Sequence, residues 1–428
     1  MDGGAGRNGG APVVVVGAGI VGVSTALWLL REGVQVTLVD RQAPGEGTSF
    51  GNAGVLASCS FVPVTVPGLV AKAPGMLFGR DGPLFLRWGY LPRLAPFLTR
   101  YLAHCAEPQV RRIAAGLAPL LSDSLGEHEA LAEGTPAARF VVPSPYRFAY
   151  RDRAAFEKDR LGWDIRREHG VRWDLLEGRE ARRAEPLLGP SADLLVSVPG
   201  HGHITDPGAY VKALAAHAVD RGARLVTGAV DAIARDGGRV TGVRVGGETL
   251  PARAVVVATG AWSAPLARAL GLEVPLESER GYHLELLNPS AMPKAPTMIA
   301  AGKFVVTPME GRVRLAGLVE FGGLDAPPSR APYRLMERLV RSAMPSLSWR
   351  GTREWMGHRP ATTDSLPLVG EVPGVAGAYL GFGHQHVGLT AGPRTGRLLA
   401  QLVSGKRPNV DMTPYDPVRF AAGRAPLP

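Results

Sequence analysis

The chain has 428 residues, 45% of them hydrophobic and 20% charged, with 48 Lys and Arg against 38 Asp and Glu and a formal net charge of +10. That length exceeds what one hydrophobic core usually supports, so the chain reads as a folded protein of two domains, or of one long domain with a second lobe, and disorder is excluded. The arginines are scattered and no nucleic-acid-binding motif accompanies them, which excludes nucleic acid as a partner and leaves a solvated basic surface. Two cysteines in separate contexts, Cys59 and Cys105, provide neither a disulfide framework nor a cysteine metal site, so no metal is expected.

Residues 1–11 are Gly-rich and lack the apolar core of an export signal, so they read as a flexible leader on a cytoplasmic protein. Val13–Val16 is a β-branched run, followed by Gly17-Ala-Gly19-Ile20-Val21-Gly22, an apolar helical stretch to Glu32, and a second run Val34–Val39 that closes on Asp40 and Arg41. A Gly-x-Gly-x-x-Gly string is weak evidence alone. Here it follows a strand and opens a helix, and an acidic residue ends the next strand, which is the arrangement that binds a dinucleotide. Gly17 allows the tight turn, Gly19 lets the backbone approach a pyrophosphate at the helix N-terminus, and Gly22 lets the helix pack on the sheet, while Asp40 can accept from ribose hydroxyls.

No residue from Gly47 to Ala71 is charged, but Pro63 and Pro67 would break a helix in lipid, so this stretch reads as a buried loop-and-strand passage. The basic and aromatic stretch Leu84–Tyr101 reads as an amphipathic core helix in preference to a membrane-surface segment that could meet a quinone. Asp206-Pro207 caps and starts a helix that stops at Gly222. Three strands follow, Leu225–Ala234, Arg239–Val245 and Ala254–Ala258, the last running into the small-residue turn Thr259-Gly260-Ala261-Trp262. Near the C-terminus, Gly357–Gly370 and the strand Ala378–Leu380 lead to Gly381-Phe382-Gly383-His384-Gln385-His386-Val387-Gly388-Leu389-Thr390 and a helix that runs to Ser404. The dinucleotide domain is thus expected from 12–82, 190–264 and 352–428, and a substrate lobe from 83–189 and 265–351.

The motifs Val15–Gly22, Thr48-Ser49-Phe50-Gly51-Asn52-Ala53-Gly54, Val257–Trp262, Arg280-Gly281-Tyr282, Gly357–Pro367 and Gly381–Thr390, in this order, resemble the D-amino-acid oxidase superfamily, most closely its bacterial D-amino-acid dehydrogenases. The resemblance implies an α/β fold: a Rossmann-like FAD-binding domain of the glutathione-reductase and p-hydroxybenzoate-hydroxylase type, with an inserted α+β substrate domain containing a mixed sheet. It implies that Ser49, Asn52, Ala53 and Gly54 pass over the pyrophosphate and ribityl chain of FAD, and that Val230 lies near the adenine. It further implies that Thr259, Gly260, Trp262, Gly383, His386, Gly388, Leu389 and Thr390 complete the FAD site and that Arg359 grips the substrate carboxylate at the cofactor. No Cys follows Cys105 and Glu46–Ala57 contains no His, so the family's covalent attachment points are absent and non-covalent FAD is expected.

A guanidinium suits a carboxylate because it donates two parallel charged hydrogen bonds. Tyr282 could donate its phenol to the same carboxylate, close the pocket or belong to the core. His384 and His386 could hydrogen-bond the flavin or tune the amine, and His203 is a weaker candidate. The expected reaction is transfer of a hydride from the α-carbon of a D-amino acid to flavin N5, with the imino acid hydrolysing to a 2-oxo acid and ammonia, and electrons passing to a quinone or another non-oxygen acceptor. Respiratory electron transfer in the dehydrogenase branch would place the protein at the inner face of the membrane. The alternatives are a secondary-amine or imino-acid dehydrogenase of the D-proline or hydroxyproline type, an oxygen-using oxidase, and a flavin-binding assembly protein without turnover.

Overall fold

The computed structural model describes residues 10–421, so most of the leader assigned to 1–11 lies outside the described residues. The fold is α/β and rests on two large sheets. The first has the strand order Leu368–Glu371, Ala378–Phe382, Ala254–Val257, Val13–Val16, Val36–Asp40 and Arg224–Thr227. Its central pairs are parallel, and Val13–Val16 lies between Val36–Val39 and Ala254–Val257. A strand covered on both faces has no solvent side, which is why this one reads as four consecutive valines.

Helix Ile20–Arg31 crosses back over this sheet and packs against helix Gly388–Val403. Small residues set the spacing. A Cβ on Gly396 would lie 2.6 Å from the backbone nitrogen of Thr25, and one on Gly22 would lie 1.8 Å from the Gly17 carbonyl oxygen. Neither position admits a side chain.

The second sheet has ten strands of mixed direction, with a main path Gly351–Thr362, Leu276–Leu287, Arg312–Phe321, Phe304–Met309, Thr297–Ile299, Val141–Tyr150, Leu194–Ile204 and Val55–Leu56. It forms the wall of the half expected to be the substrate lobe. Three of its strands, Val55–Leu56, Leu194–Ile204 and Gly351–Thr362, come from segments that sequence patterning assigned to the dinucleotide half. Each is drawn across by pairing: Gly351–Thr362 runs antiparallel to Leu276–Leu287 along its whole length.

The run expected as one strand, Leu225–Ala234, is two. Arg224–Thr227 continues the parallel sheet and Val230–Asp236 opens a separate three-stranded meander. The break falls at Gly228, whose N–H donates to the Asp40 carbonyl at 2.8 Å, and the apolar residues on each side, Leu225-Val226 and Ala229-Val230, hide it in the sequence. The meander also has a third strand, Glu248–Pro251, between the two anticipated around it.

The uncharged stretch after Gly47 forms turns, the short strand Val55–Leu56 and, beyond it, the exposed helix Leu69–Phe78. Among the described residues no helix is long and apolar enough to cross a membrane. The stretch Leu84–Tyr101 divides into a strand, a turn and helix Leu91–Leu102, whose Leu94, Phe97 and Tyr101 are buried while Trp88 and Phe78 stack on each other in solvent.

Candidate active site

The two halves enclose a cavity of about 990 Å³ that runs from the glycine turn after the first strand to the large sheet. At the dinucleotide end its wall is mostly backbone. Gly17 has φ +109°, and a Cβ there would lie 2.4 Å from the Ala258 carbonyl oxygen, so the turn requires glycine. Above Gly19 the first neighbour is the Ser49 hydroxyl, which accepts from the Ile20 N–H at 3.0 Å and so brings the 48–54 loop over the helix N-terminus. Asp40 accepts from Ala18 N–H at 2.6 Å and Gln42 N–H at 2.9 Å, which fixes its carboxylate at the cavity edge with further acceptor capacity on each oxygen.

Arg41 lies over the Trp262 ring, 4.0 Å from its centroid, and both border the cavity beside Val230, Thr259 and Gly260. Asn52, Ala53, Ile20, Val21, Gly388, Leu389 and Thr390 border it as well. Three expected FAD residues stand behind the wall. Gly22 serves helix packing, Gly54 turns at φ +77° under Ile204, and Gly383 turns at φ +94° against Thr362. A cradle of glycines at a helix N-terminus, a ribose-side carboxylate and a second helix N-terminus across the cavity are the chemistry that an extended dinucleotide needs, and FAD fits these residues.

The other end is set by the pairing of Leu276–Leu287 with Gly351–Thr362. Their register places Glu279 opposite Arg359, Gly281 opposite Gly357, His283 opposite Trp355 and Glu285 opposite Arg353. Directly paired residues share a face. Gly281 makes room for the arginine: a Cβ there would lie 2.7 Å from Arg359 Nε. The guanidinium lies in the cavity with one long contact of 3.5 Å to the Gly317 carbonyl. Burial lowers its pKa and Glu279 partly offsets this.

Arg280 and Tyr282 belong to the opposite face of the strand. Arg280 pairs with Glu320 at 2.7 Å, and the Tyr282 phenol donates to Glu320 at 2.6 Å while accepting from the Ser329 N–H. Tyr282 borders the cavity, but its one proton is committed to Glu320, and strand alternation carries it away from Arg359, which favours the pocket-wall and core options over donation to a carboxylate. Both His384 and His386 line the cavity; His384 is bonded through Nε2 to the Thr395 hydroxyl at 3.0 Å, and His386 lies near Arg359. Burial lowers both to about 4, with Arg359 adding to the effect at His386, so both are neutral at pH 7. His203 is held by the Ser144 hydroxyl at 3.0 Å and lies outside the main cavity.

A buried ion network escaped the sequence reading. Glu285 pairs with Arg312 and Arg314, both at 2.7 Å, and with Arg353. Burial would raise its carboxyl, yet Arg314 and Arg312 hold it at about 2. Arg314 in turn donates to the Phe50 and Asn52 carbonyls at 3.0 and 2.6 Å, and His283 contacts the Gly51 carbonyl at 3.0 Å, so this network holds the loop over the cavity. The available signal was the alternation Glu277, Glu279, Gly281, His283, Glu285, polar or small at every second position of a strand.

A family model described as FAD dependent oxidoreductase, DAO, matches residues 12–402. The D-amino-acid oxidase of Bradyrhizobium diazoefficiens is 39% identical over 96% of this chain and 99% of its own. A D-amino acid dehydrogenase of Methylobacterium is 34% identical over 93% of this chain and 96% of its own. Among solved structures, glycine oxidase from Geobacillus kaustophilus superposes with a TM-score of 0.73 at 24% identity, covering 95% of this chain and 98% of its own, which shows a shared fold. A cavity that fits FAD, a fold shared with such enzymes and a family match over nearly the whole chain lead to one conclusion: this chain belongs to the DAO family of FAD-dependent oxidoreductases.

Proposed function

We propose that the protein oxidises D-amino acids at the α-carbon to imino acids, which water hydrolyses to 2-oxo acids and ammonia. The observation that carries this reading is Arg359, a half-buried guanidinium in the cavity whose hydrogen-bonding fork is taken up by no carboxylate among the described residues. A substrate carboxylate supplies the missing partner, and the fork fixes its orientation. D-amino acids are favoured by the names of the relatives, D-amino-acid oxidase and D-amino acid dehydrogenase.

FAD, bound without a covalent link, supplies the two-electron acceptor. The chain's own part is to hold the substrate and exclude water. Gly281 lets Arg359 lie flat against the sheet, Tyr146, Phe148 and Met298 give the cavity apolar walls, and the neutral His386 adds no positive charge beside the substrate amine. The first turn of helix Gly388–Val403 borders the cavity with its positive end, which favours negative charge developing there.

For the electron acceptor we favour a quinone or another compound in place of oxygen, in line with the relatives named dehydrogenase. The relative named oxidase supports the oxygen reading. One experiment addresses both. Anaerobic mixing with D- and L-amino acids should bleach the flavin with D-enantiomers, and in air, dye reduction should outrun peroxide formation. Bleaching by L-enantiomers alone overturns the substrate reading, and equal rates of peroxide and dye reduction overturn the acceptor reading.

A further inference from the structure

We propose that Glu279 receives the substrate's ammonium group and takes its proton, with Tyr101 as the positioning residue; this rests on the amino-acid reading above. Glu279 is 4% exposed and borders the cavity directly opposite Arg359 in strand register. No ion pair joins the two among the described residues. The Tyr101 phenol donates to Glu279 Oε1 at 3.3 Å, and Oε2 accepts from no described residue. Leu94, Phe97, Phe321 and Ala361 cluster with Tyr101, so the carboxylate stands in apolar surroundings without a cation in contact.

A buried carboxylate in such surroundings is costly unless a positive group meets it. A bound amino acid balances the site. Its carboxylate neutralises Arg359, its ammonium neutralises Glu279, and the four charges sum to zero. A cationic side chain at Glu279 would leave the α-ammonium beside Arg359 with no anion of its own, so the charge count favours the α-amine. Oxidation needs a neutral amine, so the proton must leave. It passes from the ammonium nitrogen to a Glu279 oxygen: one N–H bond breaks, one O–H bond forms, and the amine keeps the electron pair.

The groups around Glu279 agree with this role. Tyr101 faces it from the helix side, with Cys105 near that phenol, Arg359 from the paired strand with His386 beyond, and Glu277 from two residues along its own strand. Burial pushes the Glu279 carboxyl up, Arg359 and Tyr101 pull it back, and Glu277 adds to the rise. A carboxyl raised in this way exchanges a proton with an amine more readily than one in water.

The test compares wild-type holoenzyme with E279Q, E279D and Y101F. It measures the pH profile of kcat/KM on the best neutral and the best basic D-amino acid, and the affinity for benzoate, a carboxylate without an amine, from flavin absorbance. In E279Q, kcat/KM should fall by about two orders of magnitude at pH 7 for both substrates, and the gap should narrow at high pH, where the amine arrives neutral. Benzoate should bind at least as tightly, because a negative charge beside Arg359 is gone. E279D should restore part of the rate and the acid limb. Y101F should move that limb to higher pH, because the donor that favours the ionised carboxyl is lost.

A loss in E279Q that is equal at all pH values and matched by weaker benzoate binding would mean that Glu279 only props Arg359, and the proposal falls. A loss confined to the basic substrate would assign Glu279 to a side-chain cation, and the proposal falls equally. Failure of the underlying reading looks different: wild type would bind benzoate yet bleach with no amino acid.

Discussion

The two ends of the cavity are built from opposite materials. At the dinucleotide end the wall is backbone: Gly17, Gly19 and the first turns of two helices, with Asp40 the only carboxylate among the expected cofactor residues. At the substrate end it is charge, with Arg359 and Glu279 in the cavity and Glu285 with its three arginines behind. The first end depends on space, where a single Cβ is the limiting quantity. The second depends on register, since a one-residue slip would turn Arg359 and Glu279 to the other face.

If space governs the first end, Gly22→Val should be the most damaging change, because its Cβ would lie 1.8 Å from a backbone oxygen that cannot move without opening the first strand–helix unit. The expected outcome is no soluble, FAD-containing protein. A yellow product with wild-type melting would refute the rigid-wall account.

At the charged end, Glu285→Gln leaves three arginines short of their shared anion, one of them, Arg314, fully buried with it. It should lower unfolding free energy by about 3–5 kcal/mol, read by denaturant titration. FAD affinity should fall as well, since Arg314 holds the Phe50 and Asn52 carbonyls of the loop above the cofactor site. Unchanged FAD affinity would separate the network from the loop.

Arg359→Lys tests the charged end without disturbing the backbone end. A lysine keeps the charge and loses the fork, so kcat/KM should drop by about two orders of magnitude, roughly 3 kcal/mol of transition-state stabilisation, with FAD occupancy near wild type. Intact turnover would place the carboxylate elsewhere. Arg280, an obvious substitute in the sequence, is already spent on Glu320.

The mildest perturbation is pH. His128, His203, His358, His384 and His386 are lowered to about 4 and His283 to about 3, each chiefly by burial. Their folded pKa values lie below the unfolded value of about 6.5, so the unfolded chain binds more protons in between, and stability falls as pH drops from about 6.5 toward 4. Glu285, held at about 2, acts in the same direction below the ordinary carboxylate range. Melting temperature should therefore decline steadily from pH 7 to pH 5. These histidines lie in both halves, so a decline with two separate steps would show that the two ends unfold apart.

The sequence by itself determined the dinucleotide end. Val13–Val16, the three glycines, Asp40 and the Gly381–Thr390 segment are each read within a few residues, because a turn, a helix start and a glycine's freedom are local matters. Ser49 and Arg359 rest instead on the family resemblance of the motifs that contain them. Only the tertiary structure decided that Gly351–Thr362 leaves the dinucleotide half to pair with Leu276–Leu287, that Tyr282 turns to Glu320, and that Glu279 and Tyr101, distant in sequence, meet beside Arg359. Strand pairing between distant segments leaves little trace in either segment alone, since alternation shows which residues share a face but not which strand that face will meet.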